Sequence, residues 1–316
     1  MPAGAPRYTR LKAALIKIEA TYGVDPVPAG ATDALLMKDD PQVDPVINTA
    51  AERNLVQTYM GNSAKVIVGT NMQFKLTCEL QASGVAGTKP GAALDALLQA
   101  AGMASTIVAA TSVTYNLISA ALPSCTIYFN RAGLLQKLLG CRVSTVEIAL
   151  SPLGIPYITF TGLGLFGGVV DAALPAVTLT AYKTPQGVNN ANTLLFSVGG
   201  YAALMYDFKA TLNNKVKYRN VPGAEDILLT DRSGSFSVEI EEPTIAAKDF
   251  FTVARAGTII VGTVTHGSTA GSKSQVNVNV QLNDPKQTDR DGVAALQMGG
   301  DLTPVTGNDE LAIVFT

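Results

Sequence analysis

Strict alternation of apolar and polar residues is the strongest signal in this chain. From Gln73 to Leu80, the residues Phe74, Leu76, Cys78 and Leu80 fall on one side and Gln73, Lys75, Thr77 and Glu79 on the other. A period of two describes a half-buried β-strand. Ser235 to Glu241 repeats it, with Phe236, Val238 and Ile240 opposed to Ser237, Glu239 and Glu241. Similar signals predict strands over Val113–Ile118, Cys125–Asn130, Ile259–Val264, Val276–Leu282, Val293–Leu302 and Leu311–Phe315. Val143–Leu150 and Ile155–Thr161 read as a hairpin about Ser151-Pro152-Leu153-Gly154. Leu11–Glu19 and Leu134–Cys141 fit a strand or a helical turn equally well. Leu35–Ile47 reads as extended, interrupted by Pro41 and Pro45. Two segments leave the pattern: a long excursion from Leu55 to Gly69 and a shorter one from Val221 to Leu229. Such segments are usually functional or interfacial.

The alternation gives way to helical spacing twice. Pro90 opens a short helix that Gly102 closes. Thr244–Gly257, introduced by Pro243, has the same Ala-Gly ending, and the glycines are 257 − 102 = 155 positions apart. Ile155–Phe160 matches Glu310–Phe315 at the same offset, 315 − 160 = 155. Glu52-Arg53-Asn54-Leu55 resembles Tyr218-Arg219-Asn220-Val221. These matches predict a mainly β chain with one unit present twice, each unit holding one short helix. The first unit spans 1–165, a linker rich in Gly, Pro and Asn spans 166–195, and the second unit spans 196–316. A repeated unit points to symmetric assembly rather than to one asymmetric active site.

Composition sharpens this. The chain has 316 residues, is 47% hydrophobic and only 15% charged, against about 25% charged in ordinary soluble domains. So little charge predicts that much of the surface is covered in an assembly. The net charge of −2, with Lys and Arg scattered singly, argues against general affinity for nucleic acid. Asp171 and Pro175 interrupt the apolar stretch after Phe166, so no membrane span is expected. The segment Met1–Arg10 lacks the apolar core of a signal peptide. Cys78, Cys125 and Cys141 lack metal-ligand spacing and read as small buried apolar residues in a reducing compartment.

Candidate chemistry is thin. Gly162-Leu163-Gly164-Leu165-Phe166-Gly167 satisfies a dinucleotide-binding pattern, but no helix opens at the glycines, so a flexible linker is expected there. His266, the single histidine, reads as an exposed hairpin residue rather than part of a triad. Asp284, Asp289 and Asp291 lack the closing Glu of a calcium loop. Glu239, Glu241 and Glu242 crowd one strand end without the Trp platform that usually accompanies glycoside hydrolysis. The expectation is a non-enzymatic protein with no cofactor and no metal.

Several segments carry a family likeness: Lys17-Ile18-Glu19-Ala20-Thr21-Tyr22-Gly23-Val24-Asp25-Pro26, Glu52-Arg53-Asn54-Leu55-Val56 through Tyr59-Met60-Gly61, Thr230-Asp231-Arg232, Pro243 to Phe251, Thr265 to Gly271, and Gly307-Asn308-Asp309-Glu310-Leu311. Taken over nearly the whole chain, they resemble the major tail tube proteins of long, flexible-tailed bacteriophages. The resemblance implies tandem β-sandwich domains, each flanked by a helix, that contribute strands to the closed inner β-barrel of a ring. Stacked rings would then form the virion's hollow tail tube, assembled in the bacterial host cytoplasm and traversed transiently by double-stranded DNA. Implied partners are further copies of the chain, a tape measure protein, and terminator and baseplate proteins. Most members carry one tube domain and form hexamers. Duplication suggests a homotrimeric ring with pseudo-sixfold symmetry, and without it the ring is hexameric.

Within that architecture, alternation places Glu79, Glu147, Glu239, Glu241 and Asp301 on the channel wall, with Lys75 as the main cation. A negative wall repels phosphate and lets DNA slide. Ring stacking is expected from Leu55, Tyr59, Met60, Asn62 and Val66, with Asp25–Asp33 as a candidate arm and Val221–Leu229 as a smaller contact. The competing reading is a monomeric carbohydrate-binding or hydrolytic β-sandwich, whose aromatic platform would have to come from tyrosines such as Tyr182, Tyr201 and Tyr206. A non-polymerising terminator or baseplate ring is the third.

Overall fold

The computed structural model describes residues 7–316. Its first half runs through β1 (Lys12–Ile18), β2 (Ala34–Leu35), β3 (Lys38–Ala51), β4 (Val66–Glu79), α1 (Ala92–Ala100), β5 (Met103–Val108), β6 (Ser112–Leu117), β7 (Cys125–Arg131), β8 (Leu134–Leu150) and β9 (Tyr157–Asp171). The second half runs through β10 (Thr193–Val198), β11 (Tyr201–Ala202), β12 (Met205–Val221), β13 (Ala224–Glu241), α2 (Phe250–Arg255), β14 (Ile259–His266), β15 (Ser274–Leu282), β16 (Lys286–Arg290), β17 (Val293–Leu302) and β18 (Leu311–Phe315).

One antiparallel ladder organises the molecule, in the order β3-β4-β9-β8-β12-β13-β17-β16. Each half of the chain supplies four strands by the same route. A hairpin (β3–β4, then β12–β13) is followed by a helix, and a later hairpin (β8–β9, then β16–β17) returns its second strand to the first hairpin. The correspondence extends to single residues. Phe74 lies opposite Gly162 across β4–β9, and Phe236 lies opposite Gly300 across β13–β17. A Cβ on Gly162 would stand 2.5 Å from the Phe74 ring and 2.4 Å from the Arg142 carbonyl oxygen. The glycine is there because the ring and the neighbouring backbone occupy its side-chain space.

One face of this ladder is apolar and buried, through Phe74, Leu76, Ile148, Phe160, Phe208, Val238 and Met298 among others. The second layer covers that face. It holds β2-β1-β7 joined to the first part of β8 and the ladder β10-β14-β15-β18-β6-β5. Phe208 of β12 meets Phe196 of β10 edge-to-face at 6.1 Å and Phe236 at 5.8 Å, and Tyr115 of β6 meets Phe315 of β18 at 5.9 Å. Each such buried aromatic contributes about 1.5–3 kcal/mol through removal from water. The result is a mainly β, sandwich-like structure with two helices among the described residues.

Several expectations change. Pairing continues through Asp171, well into the expected linker, because Gly162, Gly164 and Gly167 are strand residues pressed against Phe74, Cys141 and Leu139. The rest of the linker is tied down without strand pairing around Ala176–Tyr182; Thr178 N–H donates to the Gly30 carbonyl and the Tyr182 hydroxyl to that of Ala34. The Val221–Leu229 excursion is the tip of the β12–β13 hairpin, paired up to Val221 and Ala224 around Pro222-Gly223. The second helix is shorter than its spacing predicts, because Asp249 caps it by accepting the Thr252 N–H. Gly102 and Gly257 both have positive φ, +83° and +63°, so each ends its helix in the same way. The matching of Ile155–Phe160 to Glu310–Phe315 does not hold: β9 pairs with β4, whereas β18 pairs with β15 and β6. What β9 does as one long strand, β17 and β18 do as two.

Candidate assembly surfaces

The other face of the eight-stranded ladder is polar and uncovered. Register carries one row of side chains across seven of its strands: Lys38, Thr77, Thr159, Glu147, Thr211, Ser235 and Asp301. Glu79, Glu239, Glu241 and Lys75 lie on this same face by alternation along β4 and β13. All six residues expected on a channel wall therefore share one surface. Lys75 is not its main cation, because Lys38, Lys209, Lys286 and Arg290 stand there too. These come from strands whose facing depends on pairing partners rather than on a visible period.

The charges are organised in pairs. Lys209 holds Glu147 at 2.8 Å across the β8–β12 joint. Arg290 holds Glu239 at 2.8 Å, and the Thr288 hydroxyl donates to the same carboxylate at 3.0 Å, tying β16 to β13 over the intervening β17. The Lys38 ammonium sits 3.4 Å from the centre of the Tyr157 ring. Burial pushes the Glu79 carboxyl above its ordinary range, and the positive charge of Lys38 works against that shift.

The hairpin joining β3 to β4 is the second surface. Leu55, Tyr59, Met60, Asn62 and Val66 are all exposed, and Val56 and Met60 are fully so. Val46, Ile67 and Val68 extend the apolar patch along the paired arms. The tip of β12–β13 lies beside it, where the Asn220 amide donates to the Val68 carbonyl. Large apolar side chains gathered on one projection mark an interaction site.

Other candidates serve the fold. Asp25–Asp33 is tied to its own subunit: the Asp25 carboxylate receives the Tyr128 hydroxyl and the Val27 N–H, and Asp33 receives the Ala29 N–H. His266 is buried, not exposed, because the Gln186 segment folds over it. Its Nε2–H donates to the Gln186 carbonyl while Nδ1 accepts from the Thr193 hydroxyl, and burial lowers its pKa. Asp289 accepts the Gly292 N–H in the β16–β17 turn. Glu242 accepts the Gln287 amide. Tyr182 and Tyr201 pack against the core instead of forming a ligand platform. The three cysteines are buried and free.

Glu19, which periodicity could not flag, organises the segment that follows β1. Its buried carboxylate accepts from the Ser124 and Thr126 hydroxyls at 2.6 Å each, from Gly140 N–H at 2.7 Å and from Gly23 N–H at 2.8 Å. Tyr22 next to it accepts the Ile227 N–H, tying the first half to β13, and burial pushes its hydroxyl pKa up to about 12.

A family model described as phage tail tube protein matches residues 9–313. The chain belongs to the phage tail tube protein family. Membership makes it a structural component of a bacteriophage tail, in a family that self-assembles into a tube and is generally non-enzymatic. No curated protein sequence matches it significantly. As a tail tube protein it combines an uncovered polar sheet face with an apolar projection.

Proposed function

We propose that this tail tube protein polymerises as stacked rings into a hollow tube through which DNA passes. One observation carries the reading: a single chain already contains two equivalent four-stranded units joined edge to edge in one sheet, with a polar face left open. Three chains then supply six units, and the ring is a homotrimer with pseudo-sixfold symmetry; a hexamer is the alternative stoichiometry. The two units correspond to tandem tube domains that meet at the β8–β12 joint, the chain passing from one to the other between Asp171 and Thr193. The polar face lines the channel, and the sheet closes on itself so that no edge strand is exposed. On this reading the tape measure, terminator and baseplate proteins are its partners, and assembly in the host cytoplasm precedes completion of the virion.

Negative-stain electron microscopy of the concentrated, purified chain tests this. Hollow tubes or stacked rings are expected, with mass per ring choosing three chains or six. Uniform single-chain particles at every concentration would overturn it and favour a monomeric module.

The channel wall gives a second prediction. Replacing Glu79, Glu147 and Asp301 together by Lys turns a wall of mixed charge strongly positive. Tubes of this variant are expected to bind duplex DNA, with an affinity falling steeply as salt rises from 50 to about 200 mM. Wild-type tubes are expected to bind none in the same filter-retention assay. Equal retention by both would place these acids away from the channel.

A further inference from the structure

Two edges of the eight-stranded ladder are open among the described residues. β3 pairs only with β4 along this ladder, and β16 pairs only with β17. Inside the chain, the counterparts of these edges are already joined. β8 holds the place in the first unit that β16 holds in the second, β12 corresponds to β3, and β8 pairs with β12. The internal joint is therefore a template for an external one.

Register follows from residues fixed above. Aligning Phe74–Gly162 with Phe236–Gly300 sets Asp44, opposite Gln73, level with Thr211, opposite Ser235. It also sets Lys286, opposite Gln297, level with Glu147, opposite Thr159. Thr211 and Glu147 are direct partners in the internal joint, as are Lys209 and Ala149. We infer that β16 of one chain adds antiparallel to β3 of a second copy, with Lys286 opposite Asp44 and Thr288 opposite Gln42.

Three observations support this occupant. Asp44 and Lys286 are exposed at opposite edges of the ladder, each without an ion-pair partner among the described residues, and they are opposite in charge. A facing pair of this kind replaces the Lys209–Glu147 contact that secures the internal joint. Pro41 and Pro45 bracket Gln42–Asp44 on β3, and Pro285 precedes β16. A proline cannot donate to a ladder, so the external joint is confined to a short stretch and cannot slide. Thr288 and Arg290 hold β16 in place through Glu239 before any neighbour arrives.

This joint rests on the ring reading, and the test separates the two. Directly opposed residues have Cβ atoms about 4.5–5.5 Å apart, whereas diagonal neighbours are about 7–8 Å apart. The full-length double variant Gln42→Cys/Thr288→Cys, assembled and then oxidised, is expected to give covalently closed multimers on a non-reducing gel. The slipped control Asp44→Cys/Thr288→Cys is expected to give at least tenfold less. The native cysteines are buried and do not compete. Tubes visible by microscopy without the 42–288 crosslink, or with equal crosslinking of the slipped pair, would overturn the joint while leaving the ring reading intact. Failure of the unmodified chain to form rings at all would remove both.

Discussion

Deletion of Tyr59–Ser63 is expected to leave a folded subunit that closes into rings but forms no tubes. The last paired residues of this hairpin are Ala51 and Val66, so the deletion lies wholly within the connecting loop. Nothing in the buried core touches it, and the sandwich should keep its unfolding midpoint. What disappears is the tip of the apolar projection. Of the residues removed, Met60 is completely exposed and Tyr59 largely so. Burying such side chains against a neighbouring ring would yield about 1.5–3 kcal/mol each, multiplied by the number of chains per ring. Loss of that contribution at every junction should shift polymerisation out of any accessible concentration. The point variant Val56→Ser/Met60→Ser should act in the same direction and less completely. Sedimentation velocity with electron microscopy reads the outcome; tubes of ordinary length from the deletion variant would show that stacking lies elsewhere.

The second large effect is on folding. Glu19→Ala should destabilise the subunit by about 3–5 kcal/mol, a cost of the kind found when one partner of a buried charged network is removed. Four donors converge on that carboxylate, two hydroxyls and two backbone N–H groups, and in the Ala variant none has another acceptor in place. Glu19→Gln should fall between, because its carbonyl keeps some donors while its NH2 opposes the rest. Measured against a domain stability of about 5–15 kcal/mol, the Ala variant should be largely insoluble at host temperature. The comparison belongs in the hairpin-deleted background, where tube formation does not add to apparent stability. A shift below about 1 kcal/mol in the denaturant midpoint analysis would contradict the network's role.

How much of this could be read from the chain varies with how local each signal is. Alternation located β4 and β13 because their inward and outward residues differ chemically at every step. It also put Glu79, Glu147, Glu239, Glu241 and Asp301 on one side of the ladder. It could not see that Lys209 and Lys286 join them, since β12 and β16 acquire their facing from partners far away in sequence. Glycine in Gly162-Leu163-Gly164 suggested flexibility, yet the structure uses those positions for close approach of Phe74 and Cys141. The repeat was visible through its helix-ending glycines and obscured in its strands. A loop cuts the second copy between β17 and β18, whereas β9 runs unbroken, so a constant offset aligned the wrong strands. Glu19 and His266 escaped for a related reason. Their partners, Thr126 and Gln186, lie 107 and 80 residues away, and no window of sequence contains both ends.

The β8–β12 joint has a kinetic consequence. Because it is formed within one chain, half the edge-to-edge contacts of the proposed three-chain ring would be completed by folding, independent of how many subunits the cell has made. The tethered unit meets its neighbour at an effective concentration set by the intervening segment, in the millimolar range for short connections. A six-chain ring of single units must collect twice as many molecules by diffusion, so its rate falls more steeply when protein is scarce. In the proposed ring, duplication would lower the reaction order of assembly and let tubes begin growing from a smaller pool of subunits.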